Sequence, residues 1–96
     1  MSALLTYETY EWHHEFEDEP IRIYAELDEE RWELRKVEVY RDGRTYYAAD
    51  GLSTGETRLG DVPVSPLDEI KTDAEFSGCR ITTTEFELIW QAATGC

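Results

Sequence analysis

The stretch from Arg31 to Ala49, RWELRKVEVYRDGRTYYAA, limits the possible folds of this chain more than any other. Two runs rich in Val, Trp, Leu and Tyr flank Asp42-Gly43. Asp-Gly is a pair favoured by a two-residue type I′ turn, because both central residues need φ > 0. The stretch therefore predicts a β-hairpin, and with it an antiparallel sheet. Within the first run the apolar residues fall at Trp32 and Leu34, then at Val37 and Val39, so their parity shifts once. An extra residue near Arg35-Lys36, a β-bulge, would return both pairs to one face. Such a bulge either twists the sheet or re-aims Arg35 or Lys36 toward a partner.

The flanking segments extend that sheet. LLTYETYEWHH, from Leu4 to His14, alternates, with Leu4, Glu8, Tyr10 and Trp12 in one phase and Leu5, Tyr7 and Thr9 in the other. Its aromatic and Thr content suits a strand. The charged run Glu15-Phe16-Glu17-Asp18-Glu19 ends at Pro20, which cannot donate to a ladder, so this segment predicts a loop. Ile21, Ile23, Ala25 and Leu27 then recur at period two, as in a half-buried strand, and Asp28-Glu29-Glu30 turns into the hairpin. Asp50 to Pro63 carries no period and reads as a long surface connection.

The last third reads as helical. Ser65-Pro66-Leu67-Asp68 predicts a short helix with Ser65 at the N-cap and Pro66 first inside, ending by Thr72. Ser77-Gly78 is a further break, and Thr82 to Glu85 forms a capping box for a second helix reaching about Ala93. Phe86, Ile89, Trp90 and Ala93 then make one apolar stripe. Covering that stripe with the apolar face of the sheet gives an α+β domain. The expectation is one compact domain over residues 1–96: a four-stranded antiparallel meander with two C-terminal helices packed on one face. Trp32 and Trp90 belong to its core.

Composition enters through charge. The 96 residues are 41% apolar, enough to fold, yet they carry 22 acids against nine Lys and Arg, for a net charge of −13. Glu15 to Glu30 holds eight of those acids and one Arg, whereas five of the nine basic residues, Arg31, Arg35, Lys36, Arg41 and Arg44, lie in the hairpin. Direct binding to nucleic acid or an anionic membrane is disfavoured, because both need a basic surface, and a basic protein partner is favoured. No run has the length of a membrane span, and the N-terminus lacks a signal peptide's basic start, so a cytoplasmic location is expected. Cys79 and Cys96 lack metal-type spacing; they form either a reduced, incidental pair or a disulfide holding the tail.

No catalytic pattern emerges. His13-His14 beside Glu15, Glu17, Asp18 and Glu19 is the one cluster that resembles metal ligands, but neighbouring strand residues point to opposite faces. HExxH, Cys-x-x-Cys, GxGxxG and GxxxxGK[ST] are all missing from the sequence, and the one GxSxG match, Gly51 to Gly55, falls in the connection without period rather than at a strand-to-helix turn. No metal, cofactor or catalytic residue is therefore expected. The acidic run is either a solvated surface or part of a negative patch, with Glu15, Glu17, Asp18 and Glu19 close to Asp28, Glu29 and Glu30. Such a patch would speed docking on a basic surface, with Trp12 as its anchor if exposed and as core if buried. An alternative site uses Arg31, Arg35, Arg41 and Arg44 for an anionic ligand.

Several segments together resemble a family of small bacterial domains of unknown function. They are Trp12-His13, Asp18-Glu19-Pro20, Tyr24, Glu26-Leu27-Asp28, Arg31-Trp32-Glu33, Arg35-Lys36-Val37-Glu38 and Asp42-Gly43. Thr57-Arg58-Leu59-Gly60, Pro63, Ile70, Glu75-Phe76 and the Thr82 to Trp90 helix continue the likeness across nearly the whole chain. The resemblance implies a standalone domain of the kind found among mobile elements and toxin and immunity neighbourhoods, and it implies no catalytic residues. With the charge, it points to a non-enzymatic inhibitor: an immunity protein or a phage-type anti-defence (anti-CRISPR) antagonist. Its expected partner is a toxin nuclease or nucleic-acid-binding defence effector, met as a monomer or homodimer. A small accessory module binding an anionic ligand is the alternative.

Overall fold

The computed structural model describes residues 4–55 and 57–95. Its centre is an antiparallel sheet of β1 (Thr6–Trp12), β2 (Arg22–Leu27), β3 (Glu33–Val39), β4 (Thr45–Ala49), β5 (Leu52–Ser53) and β6 (Phe76–Arg80). Two helices complete the fold, α1 (Leu67–Ile70) and α2 (Thr83–Thr94). The strand order is β5-β4-β3-β2-β1-β6. Thus β1 to β4 form the expected meander, the short β5 extends it by one strand, and the chain then crosses the sheet to add β6 outside β1.

The sixth strand corrects the four-stranded expectation at the place read as a break. Gly78 is paired with Tyr10, and a Cβ at position 78 would lie 3.0 Å from the Tyr10 ring and 3.3 Å from Leu67. The glycine that looked like a strand breaker is what lets an aromatic ring lie over β6. The short β5 falls within the connection that carried no period, in which Thr57 is also buried.

Helix placement departs from expectation in a second way. The helices pack on opposite faces of the sheet. Ile23, Ala25 and Leu27 share their face with Tyr10, and that face is covered by Val64, Leu67 and Ile70 of the crossing segment. Helix α2 lies on the other face, where Phe86 is fully buried against Tyr7 at 5.3 Å between ring centroids and Trp90 meets Tyr47 edge-on at 5.4 Å. The apolar stripe on α2 therefore covers the Tyr-rich phase of the strands rather than the Ile-Ala-Leu phase.

The capping box is present: Thr82 Oγ1 accepts from the Glu85 N–H and the Glu85 carboxylate accepts from the Thr82 N–H. Helix α1 is shorter than expected, with Pro66 rather than Ser65 at the N-cap and no side-chain cap. Trp32 is 38% exposed and lies outside the core. Of the two cysteines, Cys79 is free and exposed; Cys96 lies outside the described residues.

The two turns that flank β3 each use three residues. The Tyr40 N–H bonds the Arg44 carbonyl, and the Gly43 N–H bonds the Tyr40 carbonyl at 2.9 Å, with φ +92° at Gly43. This is a type I turn closed by a left-handed residue, so only Gly43 needs positive φ and the type I′ expectation fails. Asp28 to Trp32 repeats the arrangement, but its left-handed residue is Arg31, at φ +70°. A bulge does occur in β3: Glu26 pairs with Arg35 and Leu27 with Glu33, which leaves Leu34 unmatched, one residue before the predicted pair.

Candidate functional site

Two buried Tyr–Glu–Arg sets hold the core, one on each face. On the helix face, Arg35 forms a fork on Glu26 with both contacts at 2.8 Å, and the Tyr7 hydroxyl donates to the same carboxylate at 2.9 Å. Arg35 also pairs with Glu87 of α2, and its guanidinium lies 4.9 Å from the Phe86 ring centroid and 5.1 Å from that of Trp90. On the opposite face, Arg31 grips the fully buried Glu8 at 2.8 and 2.9 Å, and Tyr10 donates to it at 2.6 Å. Arg31 also donates to the backbone carbonyls of Val64 and Ser65.

Burial pushes both carboxyls up, but hydrogen bonds from arginine and tyrosine, with the arginine charge, outweigh it. Glu8 and Glu26 are held below the usual carboxylate range. Burial and then the neighbouring carboxylate raise Tyr10 and Tyr7. A bidentate arginine on a doubly hydrogen-bonded carboxylate is a structural use of charge. Two of the four arginines in the alternative anion site are thus held internally. Arg44 pairs with Asp42 at 2.7 Å and Arg41 donates to the His14 carbonyl.

The predicted acidic patch divides in two. Glu15, Glu17, Asp18 and Glu19 lie exposed between β1 and β2, whereas Asp28, Glu29 and Glu30 form the β2–β3 turn. These loops sit at opposite ends of the six-residue β2, roughly 20 Å apart at 3.3 Å per residue. Asp28 also has a structural task, its Oδ1 accepting from the Glu30 and Trp32 N–H groups, both at 2.9 Å.

The residues leading into the first acidic loop meet the approach to β6. The His13 N–H bonds the Glu75 carbonyl at 2.7 Å, which sets Glu75 beside the start of the loop, while Arg41, Asp42 and Arg44 of the β3–β4 turn line one hollow with Glu17 and Asp18. Through this end runs a row of rings. Phe76 stacks on Trp12 at 5.6 Å, Trp12 contacts His14 at 4.3 Å, and His14 stacks on Phe16 at 5.5 Å. His14 is fixed by its backbone contacts: Nδ1 accepts from the Phe16 N–H, so the proton on Nε2 is the one given to the Pro20 carbonyl.

Trp12 lies half-buried within the row, with its buried indole N–H unpaired, while Phe16 is 63% exposed. The exposed ring beside the acids is therefore Phe16, which sequence reasoning had placed in a charged loop. Its only sequence signal was an isolated aromatic among four charges. Among the described residues no three His, Cys, Asp or Glu side chains converge as metal ligands. No helix there is long and apolar enough to cross a membrane.

A single antiparallel sheet covered by a helix on one face and an irregular strap on the other, with an aromatic row in an acidic rim at one end, defines a small α+β domain. Residues 6–95 match the family described as a domain of unknown function, DUF6881, and the chain belongs to that family. No curated protein and no solved structure matches it.

Proposed function

We propose that this chain is a protein-binding module that docks on a basic surface of a nucleic-acid-handling protein and acts as a non-enzymatic inhibitor. The β1–β2 end is its contact surface. The observation that carries the reading is the exposed Phe16 ring, backed by His14, Trp12 and Phe76, with Glu15, Glu17, Asp18 and Glu19 exposed in the same loop and Glu75 bonded opposite His13. An aromatic anchor within a charged rim is the usual anatomy of a protein interface.

Charge placement supports the same reading. Four of the five basic residues of the hairpin, Arg31, Arg35, Lys36 and Arg44, stand in ion pairs within the molecule, so much of it is neutralised internally, while Arg41 lies beside Glu17 and Asp18. The exposed carboxylates on the β1–β2 loop and beside β6 then attract a basic partner and compete with its phosphate ligands. The immunity-protein and anti-defence roles belong to this proposal as the settings in which such an inhibitor acts.

The test measures association with a basic toxin nuclease or defence effector across salt concentration. Steering by this end predicts an on-rate that falls steeply with salt, and a Glu17→Lys/Asp18→Lys double variant slowed by about tenfold or more. The Glu29→Lys/Glu30→Lys variant at the far end serves as the control and should bind within about twofold of the parent. An on-rate indifferent to salt, or equal losses from both variants, would remove the surface from the account.

A further inference from the structure

The crossing segment leaves a cleft of about 320 Å³ between itself and the sheet. Tyr10, Ile23, Val64, Ile70 and Phe76 give it apolar walls, and Glu33, Glu69 and Asp73 stand at its rim. Known small-molecule pockets span about 300–1,000 Å³, so this volume suits one side chain with its backbone better than a nucleotide or large cofactor. Glu33 is already engaged by Lys36 at 3.2 Å and by the Gly60 N–H. Glu69 and Asp73 are exposed, four residues apart in sequence, and free of basic partners among the described residues. Phe76 is also the first ring of the row that leads to Phe16, which makes the cleft continuous with the docking end.

We propose that this cleft receives an arginine side chain from a basic segment of the partner, its guanidinium set between Glu69 and Asp73 and against the Phe76 ring. This rests on the docking function above and names the element that the surface would recognise. The three-carbon stem matches the apolar walls, and the planar head can meet carboxylates edge-on while stacking on a ring, which a lysine ammonium does less well. The molecule uses the same combination internally, where Arg35 pairs with two carboxylates and lies over two rings.

The experiment titrates acetyl-Gly-Arg-Gly-amide into the ¹⁵N-labelled full chain and follows amide shifts. Saturable shifts at Val64, Ile70 and Phe76 are expected. The citrulline version of the peptide, neutral but nearly isosteric, should bind about tenfold more weakly, as should the parent peptide to a Glu69→Gln/Asp73→Asn variant. Those two side chains are exposed and the changes are nearly isosteric, so the fold should persist; Ser65→Phe, which fills the mouth, provides a second route to loss. Shifts that never saturate, or that map only to the β1–β2 loop, overturn the proposal. The Glu17→Lys/Asp18→Lys variant separates the two ideas. Normal peptide binding by that variant with a normal partner on-rate would sink the loop surface alone, and absent peptide binding with a slowed on-rate would sink the cleft alone.

Discussion

The two faces of the sheet answer the same problem with the same three residue types and differ in what the arginine is asked to hold. Under α2, Arg35 binds Glu26 from a strand and reaches its cover through Glu87 and two aromatic rings. Under the crossing strap, Arg31 binds Glu8 from a left-handed turn position and reaches its cover through the carbonyls of Val64 and Ser65. A helix satisfies its own backbone and needs only side-chain contact. An irregular segment lying on a core does not, so its carbonyls require a donor from elsewhere. Gly43 takes the corresponding turn position at little conformational cost, whereas Arg31 adopts it against a penalty of about 1–3 kcal/mol. The strain persists because only a long donor at that site joins Glu8 to the strap.

The largest test removes each arginine in turn. Arg31→Ala leaves Glu8 buried beside a single tyrosine and should cost about 3–5 kcal/mol, a large share of the roughly 5–15 kcal/mol that stabilises a domain. Arg35→Ala should cost less, about 2–4 kcal/mol, because Glu26 is not fully enclosed. Hydrogen exchange gives the sharper result. Loss of Arg31 should unprotect the Val64 N–H and the amides of α1 before those of α2, and loss of Arg35 should do the reverse. Equal loosening of both covers by either variant would mean that the two sets do not act as separate clamps.

Acid tests both clamps together. Glu8 and Glu26 have folded-state pKa values below their unfolded ones, so the native state binds fewer protons. Their stabilisation is present in full above the ordinary carboxylate value near 4.3 and is lost as pH falls toward and through the depressed folded values. The melting temperature should therefore hold above about pH 5 and drop steeply below about pH 4. A Glu8→Gln variant should show a shallower acid limb, and an unchanged limb would assign the acid sensitivity to other groups.

The contrast between the faces also explains which parts of the fold could be read in advance. Strands β1 to β4, the bulge in β3 and the capping box of α2 are set by local pattern, and they appear within a residue or two of their expected places. Strand β6 was hidden because its fitness depends on a partner: Gly78 is favourable only under the Tyr10 ring. Glu26 sat in the polar phase of β2 and looked solvated, since nothing local says that a helix will cover that phase. Glu8 fell among Leu4, Tyr10 and Trp12, a charge on a face that carried three large apolar residues beside Thr6 and His14, and that was a usable sign of a buried ion pair. Its partner could not be named, because Arg31 arrives from a turn rather than from a paired strand. At the β1–β2 end, the strand carrying Trp12 and the loop of Glu15 to Glu19 were recognisable from local pattern, while Glu75 came to lie opposite His13 only through the pairing that precedes β6.

Gly78→Ala should act on the strap face with a smaller effect. A methyl group there would press on the Tyr10 ring and Leu67, and overpacking of that kind costs about 1–3 kcal/mol. The change should be rescued in part by Leu67→Ala, which vacates one neighbour; a double variant no better than the single would place the cost in the backbone of β6 instead.

The smallest effect belongs to the helix face. Thr82→Ala removes the hydroxyl that accepts from the Glu85 N–H and should cost about 1 kcal/mol. Thr82 is exposed and touches neither Tyr–Glu–Arg set, so its loss should fray the first turn of α2 without reaching the strap. Hydrogen exchange at Phe86 and Glu87 would report that fraying, while the Val64 N–H, bonded to the Arg31 carbonyl at 2.8 Å, should exchange as in the parent chain. If the Val64 amide also quickened, the covers would be coupled through the sheet, and the independence inferred from their separate arginines would be wrong.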